Sequence, residues 1–173
     1  MRSKSSIDVS LTAIFAAIYA VCVVVLGPIS FQVFQVRVAD ALLPLAILFG
    51  WPAIVGLSLG AFVANFFGGL GPIDILGGAL ANFIATCAAW RVARRRGRAW
   101  AVFGIGIEIV AVTLIVGSYL SFLLGISLAL GWLGVLIGSI IAIGILGSIL
   151  FMAFSSGRIL VMLRRHGLDL REK

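Results

Sequence analysis

The chain has 173 residues, of which 62% are hydrophobic and 11% are charged, whereas a soluble domain usually has about 25% charged and about 45–50% apolar residues. A water-soluble globular protein is therefore close to excluded, and so is a disordered chain, because disordered chains are poor in apolar residues. The 13 Lys and Arg against 6 Asp and Glu give a net charge of +7; these charges lie beside apolar runs, which is typical of the positive-inside rule and not of a nucleic-acid partner. The apolar stretches are continuous and lack the alternation of a β-barrel, so the composition indicates a polytopic helical membrane protein.

The first predicted membrane helix covers about residues 8–27. It follows Arg2 and Lys4 and is apolar along most of its length. The Ala-rich sequence continues without a clean cleavage site, so we expect a membrane helix here and not a signal peptide. The two basic residues place the N-terminus in the cytoplasm.

The Arg-rich loop at 91–98 indicates whether the number of membrane crossings before it is even or odd. This loop is expected in the cytoplasm, like the N-terminus. An even number of crossings must therefore precede it, and the helices at 8–27 and 72–92 supply two. The apolar run at 41–68 must then cross twice, with a break at Gly50-Trp51-Pro52, because Gly and Pro interrupt helices.

The break divides this run into predicted helices at 37–50 and 52–68. The first of them is short: from about Ala39 to Phe49 it reaches only about 17 Å at about 1.5 Å per residue. A hydrocarbon core is about 30 Å thick. The helix either begins earlier, near Val36, or dips into the membrane as a half-helix shielded by its neighbours.

The last apolar sequence, 99–163, must also cross twice, because the C-terminal segment is again rich in Arg and is expected in the cytoplasm. The turn is predicted between Gly125 and Gly134, with Trp132 as an interfacial anchor. The last helix is expected to project into the cytosol. The sequence thus predicts a single all-α integral membrane domain, 1–173, with both termini cytoplasmic, a short or broken helix 2 and a bundle of six transmembrane helices at about 8–27, 37–50, 52–68, 72–92, 99–124 and 131–163.

Small residues recur at four-residue spacing, which lets helices approach closely in a membrane. Gly56 and Gly60 on the third helix and Gly134 and Gly138 on the sixth are expected to serve packing within the bundle. The first helix differs, because its small residues form a flat Ala stripe without polar side chains. The stripe suits internal packing and also docking of another subunit, and its members are Ala13, Ala16, Ala17 and Ala20.

Ionisable and polar side chains inside a membrane are costly, so each is a candidate functional residue. They gather between the middle of the bundle and its outer side, whereas the inner halves of the helices offer almost none. This distribution predicts a polar pocket open to the outside and not a pore, which needs polar residues along its whole length. The candidate substrate-binding residues are Glu108, Asn82, Asp74, Asn65, Arg37, Asp40 and Tyr119.

Several of these candidates also have an ordinary structural explanation. Asp74 can cap the start of its helix, where free N–H groups and the helix dipole favour a carboxylate. Arg37 and Asp40 are three positions apart and can pair with each other. Asn65 and Asn82 can hold helices together through hydrogen bonds.

Glu108 is the candidate that is hardest to explain by structure alone. No residue of opposite charge lies within one helical turn of it along the sequence. It can pair with Arg37 or stay protonated. A role in ligand binding is the interpretation that we favour for a carboxyl group near the middle of the membrane.

The remaining reactive residue types do not point to catalysis. Cys22 and Cys87 lie inside apolar runs, and His166 lies in the polar C-terminal tail. We therefore expect no disulfide, no metal site, no cofactor and no enzymatic activity.

Motifs in the second, third and fourth helices are similar to those of the QueT family. They are Val36-Arg37-Val38-Ala39-Asp40-Ala41, Phe49-Gly50, Gly56-Leu57-Ser58-Leu59-Gly60, Ala64-Asn65 and Gly71-Pro72-Ile73-Asp74, with Gly78 and Ala81. The Arg/acid pair, the Gly spacing and the Pro-x-Asp helix start occur in the order typical of that family. The fifth and sixth helices add little to the resemblance beyond their size and Glu108.

Proteins of this family resemble S components of energy-coupling factor (ECF) transporters, which lie in the plasma membrane of prokaryotes. The resemblance implies a small multi-pass protein that captures a vitamin-like molecule on its outer face and does not hydrolyse ATP. It also implies docking, through the Ala face of the first helix, onto a transmembrane T component bound to two ATPase subunits. The presumed substrates are queuosine precursors, that is, 7-deazaguanine bases such as preQ0 and preQ1, or queuine.

A deazaguanine base also suits the candidate residues chemically. Its ring N1–H and exocyclic amine are parallel donors, which a carboxylate accepts well. We expect Glu108 to accept them, with Asp74 as the second choice. Asn82 or Asn65 can serve the carbonyl oxygen. The side chains expected to stack on the flat ring are Phe31, Phe34 and Tyr119.

Two other functions stay open at this point. The chain can be an S component for another vitamin, such as riboflavin, biotin or a thiamine precursor, because the polar residues do not exclude these ligands. It can also be a stand-alone secondary carrier, which needs a coupling-ion site and usually internal repeats. The sequence contains no Gly-x-x-x-x-Gly-Lys-[Ser/Thr] phosphate loop, so the energy for active uptake must come from partner subunits.

Overall fold

The computed structural model describes residues 4–30, 36–94 and 96–156, and in these ranges it is helical, with short turns and no strand. The helices are α1 (Lys4–Val25), the single turn α2 (Gly27–Ser30), α3 (Val38–Phe49), α4 (Trp51–Gly68), α5 (Pro72–Ala93), α6 (Arg98–Leu124) and α7 (Leu128–Phe154). Predicted helices 2 to 6 correspond to α3 to α7.

Five of these helices, α1 and α4 to α7, are long and apolar enough to cross a membrane. The prediction of a multi-pass, all-helical protein is thereby confirmed for the described residues. Large apolar side chains cover the outside of the bundle; Val9, Phe66, Phe67, Val102 and Phe122 are each more than 60% exposed. Contact of such a surface with lipid is favourable, whereas its exposure to water is not.

The short helix α3 is the irregular element of the bundle. Val38–Leu45, which contains Pro44, is a 3-10 helix, and Ala46–Phe49 is α-helical. A 3-10 helix rises about 2.0 Å per residue, so α3 reaches about 22 Å, further than an α-helix of the same length but less than the hydrocarbon core of about 30 Å. It is almost wholly buried, as expected for a half-helix shielded by its neighbours.

The predicted break between α3 and α4 is present. Gly50 adopts φ +66° and Pro52 lies in the first turn of α4. A side chain at Gly50 would be strained at this backbone angle and would also approach the indole of Trp90 at 3.2 Å. The Gly-Trp-Pro sequence therefore ends one helix and starts the next without a connecting loop.

The last helix differs from its prediction at both ends. It begins at Leu128, because the turn is confined to residues 125–127 and Gly125 adopts a left-handed conformation at φ +64°. It ends at Phe154, where a turn follows at residues 155 and 156, so it does not continue unbroken to 163. Residues 157–163 lie outside the described ranges. Ile140–Gly147, in the middle of this helix, is π-helical.

Glycines bring the long helices together. Gly56 and Gly60 of α4 lie against the backbone carbonyls of Thr12 and Ala16 in α1, where a Cβ atom would come within 2.6 and 2.8 Å. Gly117 of α6 faces α7 in the same way. The predicted role of Gly56 and Gly60 in internal packing is thus confirmed, and close backbone approach is the usual basis of helix association in lipid.

Successive long helices pack side by side, α1 on α4, α4 on α5, α5 on α6 and α6 on α7. The short α3 lies between α1 and α7 and also touches α5, so it completes the bundle. Only 17% of the apolar stretch of α1 is buried, against 39–44% in the other spans. The helix α1 is therefore the most peripheral of the five spans. Asp40, the polar residue of α3, is buried in the bundle.

Candidate ligand site

The bundle interior contains a set of buried polar side chains. They are Arg37, Asp40, Asn65, Asp74, Asn82, Thr86, Glu108, Thr113, Ser121 and Ser139, and none is more than 7% exposed. Charged and amide groups are expensive to bury in a membrane protein and usually mark a functional site. Six of the seven predicted binding residues belong to this set, and the seventh, Tyr119, is half-buried.

Three of the predicted residues meet at one cavity. Arg37, which directly precedes α3, Asp40 of α3 and Asn82 of α5 share this cavity with a wall from α6 and α7, formed by Val112, Val116, Val135, Gly138 and Ser139. The cavity has a volume of about 10 Å³, which is the room of about one water molecule. The sequence led us to expect a polar pocket open to the outside. The described residues enclose a polar cavity with little free space, and its opening to the outside stays a prediction.

Asp40 accepts a hydrogen bond from a residue that was not predicted from the sequence to belong to the site. The hydroxyl of Tyr19 donates a hydrogen bond to Asp40 Oδ1 at 2.5 Å, and Tyr19 is fully buried. The side chain of Asn82 also interacts with this hydroxyl. The buried stripe of α1 consists of Phe15, Tyr19 and Val23. The sequence signal for Tyr19 is therefore its position four residues from each of two apolar residues, which places its hydroxyl on the buried face of the helix.

Arg37 is the central charge of the site. Its guanidinium interacts electrostatically with the carboxyl groups of both Asp40 and Asp74 and with the hydroxyls of Tyr19 and Tyr119. The expected pairing with Asp40 is therefore one part of a wider network. A buried cation with two acidic neighbours remains tolerable in an apolar bundle because the opposite charges compensate the lost hydration.

A second polar cluster lies on the α4–α5–α6 side of the bundle. Tyr119 donates to Asp74 Oδ1 at 3.1 Å, and the Asn65 side-chain amide donates to the backbone carbonyl of Asp74 at 2.8 Å. Gly77 and Gly78 leave room for this arrangement, since a Cβ would meet the Tyr119 ring at 2.8 Å or the Asn65 amide at 2.2 Å.

The alternative explanations of these residues can now be compared with their contacts. The side-chain hydrogen bond of Asp74 goes to Tyr119 in α6 and not to the free N–H groups at the start of its own helix. Asn65 does join α4 to α5, and Asn82 makes a long contact of 3.4 Å with the carbonyl of Leu57 in α4. Within the described ranges, however, Asp74 Oδ2 and Asn65 Oδ1 have no hydrogen-bond partner.

Glu108 makes no hydrogen bond to either of these clusters. It is fully buried, and neither of its carboxyl oxygens has a hydrogen-bond partner among the described residues. An electrostatic interaction is identified between Glu108 and Asp40. No hydrogen bond joins Glu108 to Arg37, which was one of the two possibilities left open by the sequence. An unpaired buried acceptor costs about 1–3 kcal/mol, and a ligand with two N–H donors would supply the missing partners.

The Ala stripe of α1 divides between two roles. Ala13 and Ala17 are exposed, whereas Ala16 and Ala20 are half-buried, and the backbone of Ala16 contacts Gly60. Ala13 and Ala16 also line a groove of about 410 Å³ with residues of α4, namely Trp51, Pro52, Val55 and Leu59. The stripe thus borders an open apolar groove on the most peripheral helix. Phe31 and Phe34, expected to stack on a ligand, lie outside the described residues.

A comparison with protein-family models matches residues 9–156 to the family described as QueT transporter. The matched region contains all the candidate binding residues and all the helices except the first turn of α1. No significant match is found among curated proteins, and none among solved structures.

Proposed function

The chain belongs to the QueT transporter family, and on this premise we propose that it is the substrate-binding S component of an ECF-type importer. In this role it captures a queuosine precursor of the 7-deazaguanine class on the outer side of the membrane. A T component and two ATPase subunits then drive uptake with ATP.

The observation that carries this proposal is the convergence of Arg37, Asp40 and Asn82 on one cavity of an otherwise apolar bundle. Small-molecule sites are mostly apolar, with a few well-placed polar groups that fix the orientation of the ligand. The valine side chains of α6 and α7 would face the flat base, and the three polar residues would face its edge. The polar groups come from two parts of the chain, Arg37 and Asp40 at the start of α3 and Asn82 in α5, which suits a planar ligand with donors and acceptors around its rim.

The donor pattern of deazaguanine gives Glu108 a role in this proposal. The base has two parallel N–H donors, and the two oxygens of Glu108 are both free of partners in the described structure. Asn82 would pair with the carbonyl oxygen of the base. Because a site of this kind leaves its own groups unpaired when a donor is missing, it should reject bases without the N1–H and exocyclic amine by a large factor.

Binding requires the cavity to enlarge. Its volume of about 10 Å³ is far below the roughly 300–1,000 Å³ of ordinary ligand pockets. Two walls of the cavity belong to the irregular helices, the 3-10 segment of α3 and the helix α7 with its π-helical segment. Such segments frequently mark places where a helix adjusts its geometry, so we assign the opening to α3 and α7 and not to the regular helices α4 to α6.

The exposed part of the Ala stripe is the proposed contact for the T component. Ala13 and Ala17 leave the backbone of α1 accessible from the membrane, and the adjoining groove is apolar. A transmembrane partner can approach closely at such a surface through small residues of its own. The chain supplies the ligand site, and the partners supply ATP hydrolysis.

A second ligand class is favoured by one specific observation, the buried guanidinium of Arg37 at the cavity. A carboxylate ligand would pair with it in the bidentate geometry that arginine prefers. Biotin is the ligand of this kind among the alternatives considered above. In that case the chain would still be an S component, but one for an anionic vitamin.

The experiment is a binding titration of the purified protein in detergent with preQ0, preQ1, queuine and guanine, and with riboflavin and biotin. Wild type is compared with Glu108→Gln and with Asp8→Asn, an acid-to-amide control in α1. The proposal expects tight binding of the deazaguanines that is lost in Glu108→Gln and kept in Asp8→Asn. Binding of biotin and not of the deazaguanines would support the second proposal, an S component for an anionic vitamin. Binding of none of these ligands would contradict an S component for either ligand class.

A further inference from the structure

Tyr19 stands out because it is a polar group of the site that lies on the peripheral helix. Its hydroxyl donates to Asp40 at 2.5 Å, and the whole side chain is buried. The other side-chain hydrogen bonds identified for the described part of α1, from Ser10 and Thr12, stay within the helix. Tyr19 therefore makes the polar side-chain contact between α1 and α3.

We infer that Tyr19 is a positioning residue of the ligand site: it fixes the carboxyl group of Asp40 at the cavity and makes this carboxyl group depend on α1. The inference deepens the proposed function and rests on it, because it requires that a ligand occupy the cavity that Asp40 lines.

The hydrogen bond restricts Asp40 in a specific way. One carboxyl oxygen is occupied by Tyr19, so the other is the acceptor that can face a ligand. A hydrogen bond from a hydroxyl to a carboxyl group is among the stronger ones in proteins. Without it, the side chain of Asp40 would be free to turn toward the buried guanidinium of Arg37, with which it already interacts.

The bond also has a consequence for α1. This helix packs on α4 through glycines and bare backbone at Gly56 and Gly60, contacts that are apolar and not directional. The exposed residues Ala13 and Ala17 lie on the other side of α1 from the buried Tyr19. A displacement of α1 at the exposed face would therefore move the group that holds Asp40.

The test is a double-mutant cycle on ligand affinity with Tyr19→Phe, Asp40→Asn and the double variant. Wild type is first titrated with preQ1, and the cycle uses preQ1 or whichever vitamin of the panel wild type binds. We expect Tyr19→Phe to weaken binding by roughly tenfold, the size of one lost hydrogen bond to a charged group. The double variant should bind no more weakly than Asp40→Asn alone, because the hydroxyl then has no carboxylate to position.

Tyr119→Phe is the matched control, since it removes the same hydroxyl from the second cluster, at Asp74. Its coupling to Asp40→Asn should be weaker than that of Tyr19→Phe, because Tyr119 is linked to Asp40 electrostatically, in the network around Arg37, and not by a hydrogen bond. The melting temperature of each ligand-free variant separates a positioning role from loss of the fold. The inference would be overturned if Tyr19→Phe weakened ligand binding equally in the wild-type and Asp40→Asn backgrounds, or did not weaken it at all. As long as wild type binds the ligand, the proposed function would stand in that case. Failure of wild type to bind any ligand of the panel would instead remove the proposed function and the inference with it.

Discussion

Gly147 of α7 lies directly against Pro44 of α3. A Cβ atom at Gly147 would come within 2.8 Å of Pro44 Cγ and 3.2 Å of the carbonyl oxygen of Ala41. The contact joins the π-helical end of one cavity wall to the 3-10 helix of the other. These two helices can approach so closely only because residue 147 has no side chain.

Gly147→Ala is therefore expected to push α3 and α7 apart and to destabilise the protein by about 1–3 kcal/mol, the usual cost of overpacking a filled interior. Because α3 and α7 also supply lining residues of the cavity, ligand affinity should change as well. Gly144→Ala is the control, since its Cβ would meet Ile109 at an ordinary 3.4 Å. Thermal unfolding and ligand titration of both variants provide the comparison; equal behaviour of the two would refute a role of the Gly147–Pro44 contact.

The packing of α1 on α4 can be tested at Gly60. A Cβ there would lie 2.8 Å from both the carbonyl oxygen of Ala16 and the Cβ of Tyr19. Gly60→Val should therefore force the helices apart and lower stability by about 1–3 kcal/mol or more. Gly106→Ala on α6, where no described atom lies within 4 Å, should be neutral or slightly stabilising, because alanine is the better helix former by about 1 kcal/mol. The free energy of unfolding in mixed micelles is the quantity to measure.

The second polar cluster, with Asn65, Asp74 and Tyr119, predicts that a substitution at Gly78 lowers stability. In Gly78→Ala the new Cβ would displace the Asn65 amide, which donates to the carbonyl of Asp74. The lost hydrogen bond, which leaves the buried Asn65 amide without its acceptor, should cost about 1–3 kcal/mol of stability. Gly106→Ala is again the control. Gly69→Ala is unsuitable, because Gly69 adopts φ +76°, where any side chain is strained. A melting temperature equal to that of the control would contradict this account of the cluster.

The proposed docking face can be separated from the ligand site. Ala17→Phe places a large side chain on the exposed part of the Ala stripe and should abolish copurification with the T component and ATPase subunits, while ligand affinity stays unchanged. Ile18→Phe, at the next position along α1 and also exposed, points about 100° away around the helix and should leave the complex intact. Loss of the complex in both variants, or in neither, would argue against this face.

The sequence was sufficient to predict the helical membrane fold because hydropathy and charge act locally. The break at Gly50-Trp51-Pro52 and the short helix after Arg37 follow from glycine, proline and the parity of crossings. The 3-10 form of α3 could not be predicted in this way, since it depends on neighbours that bury the segment and tolerate Pro44. The end of α7 at Phe154 is marked by Ser155, Ser156 and Gly157, which directly follow it; the prediction of a helix to 163 passed over this signal.

The candidate site was predicted in its residue types and not in its arrangement. Depth in the membrane selected Arg37, Asp40 and Asn82, which meet at the cavity, and also Glu108, which has no hydrogen bond to them. Depth alone cannot tell which helix faces which, so Tyr19 was missed. Its hydroxyl is recognisable as part of the site only when α1 and α3 are placed side by side.

The measurement that tests the central proposal most directly is uptake of radiolabelled preQ1 into proteoliposomes. The chain is reconstituted alone and together with the T component and both ATPase subunits of its source organism. ATP, or a non-hydrolysable analogue as the control, is supplied on the side of the membrane where the ATPase subunits lie. The account predicts binding without accumulation by the chain alone, and ATP-dependent transport by the complete assembly. Transport by the chain alone, driven by an ion gradient and indifferent to ATP, would contradict the account and identify a secondary carrier.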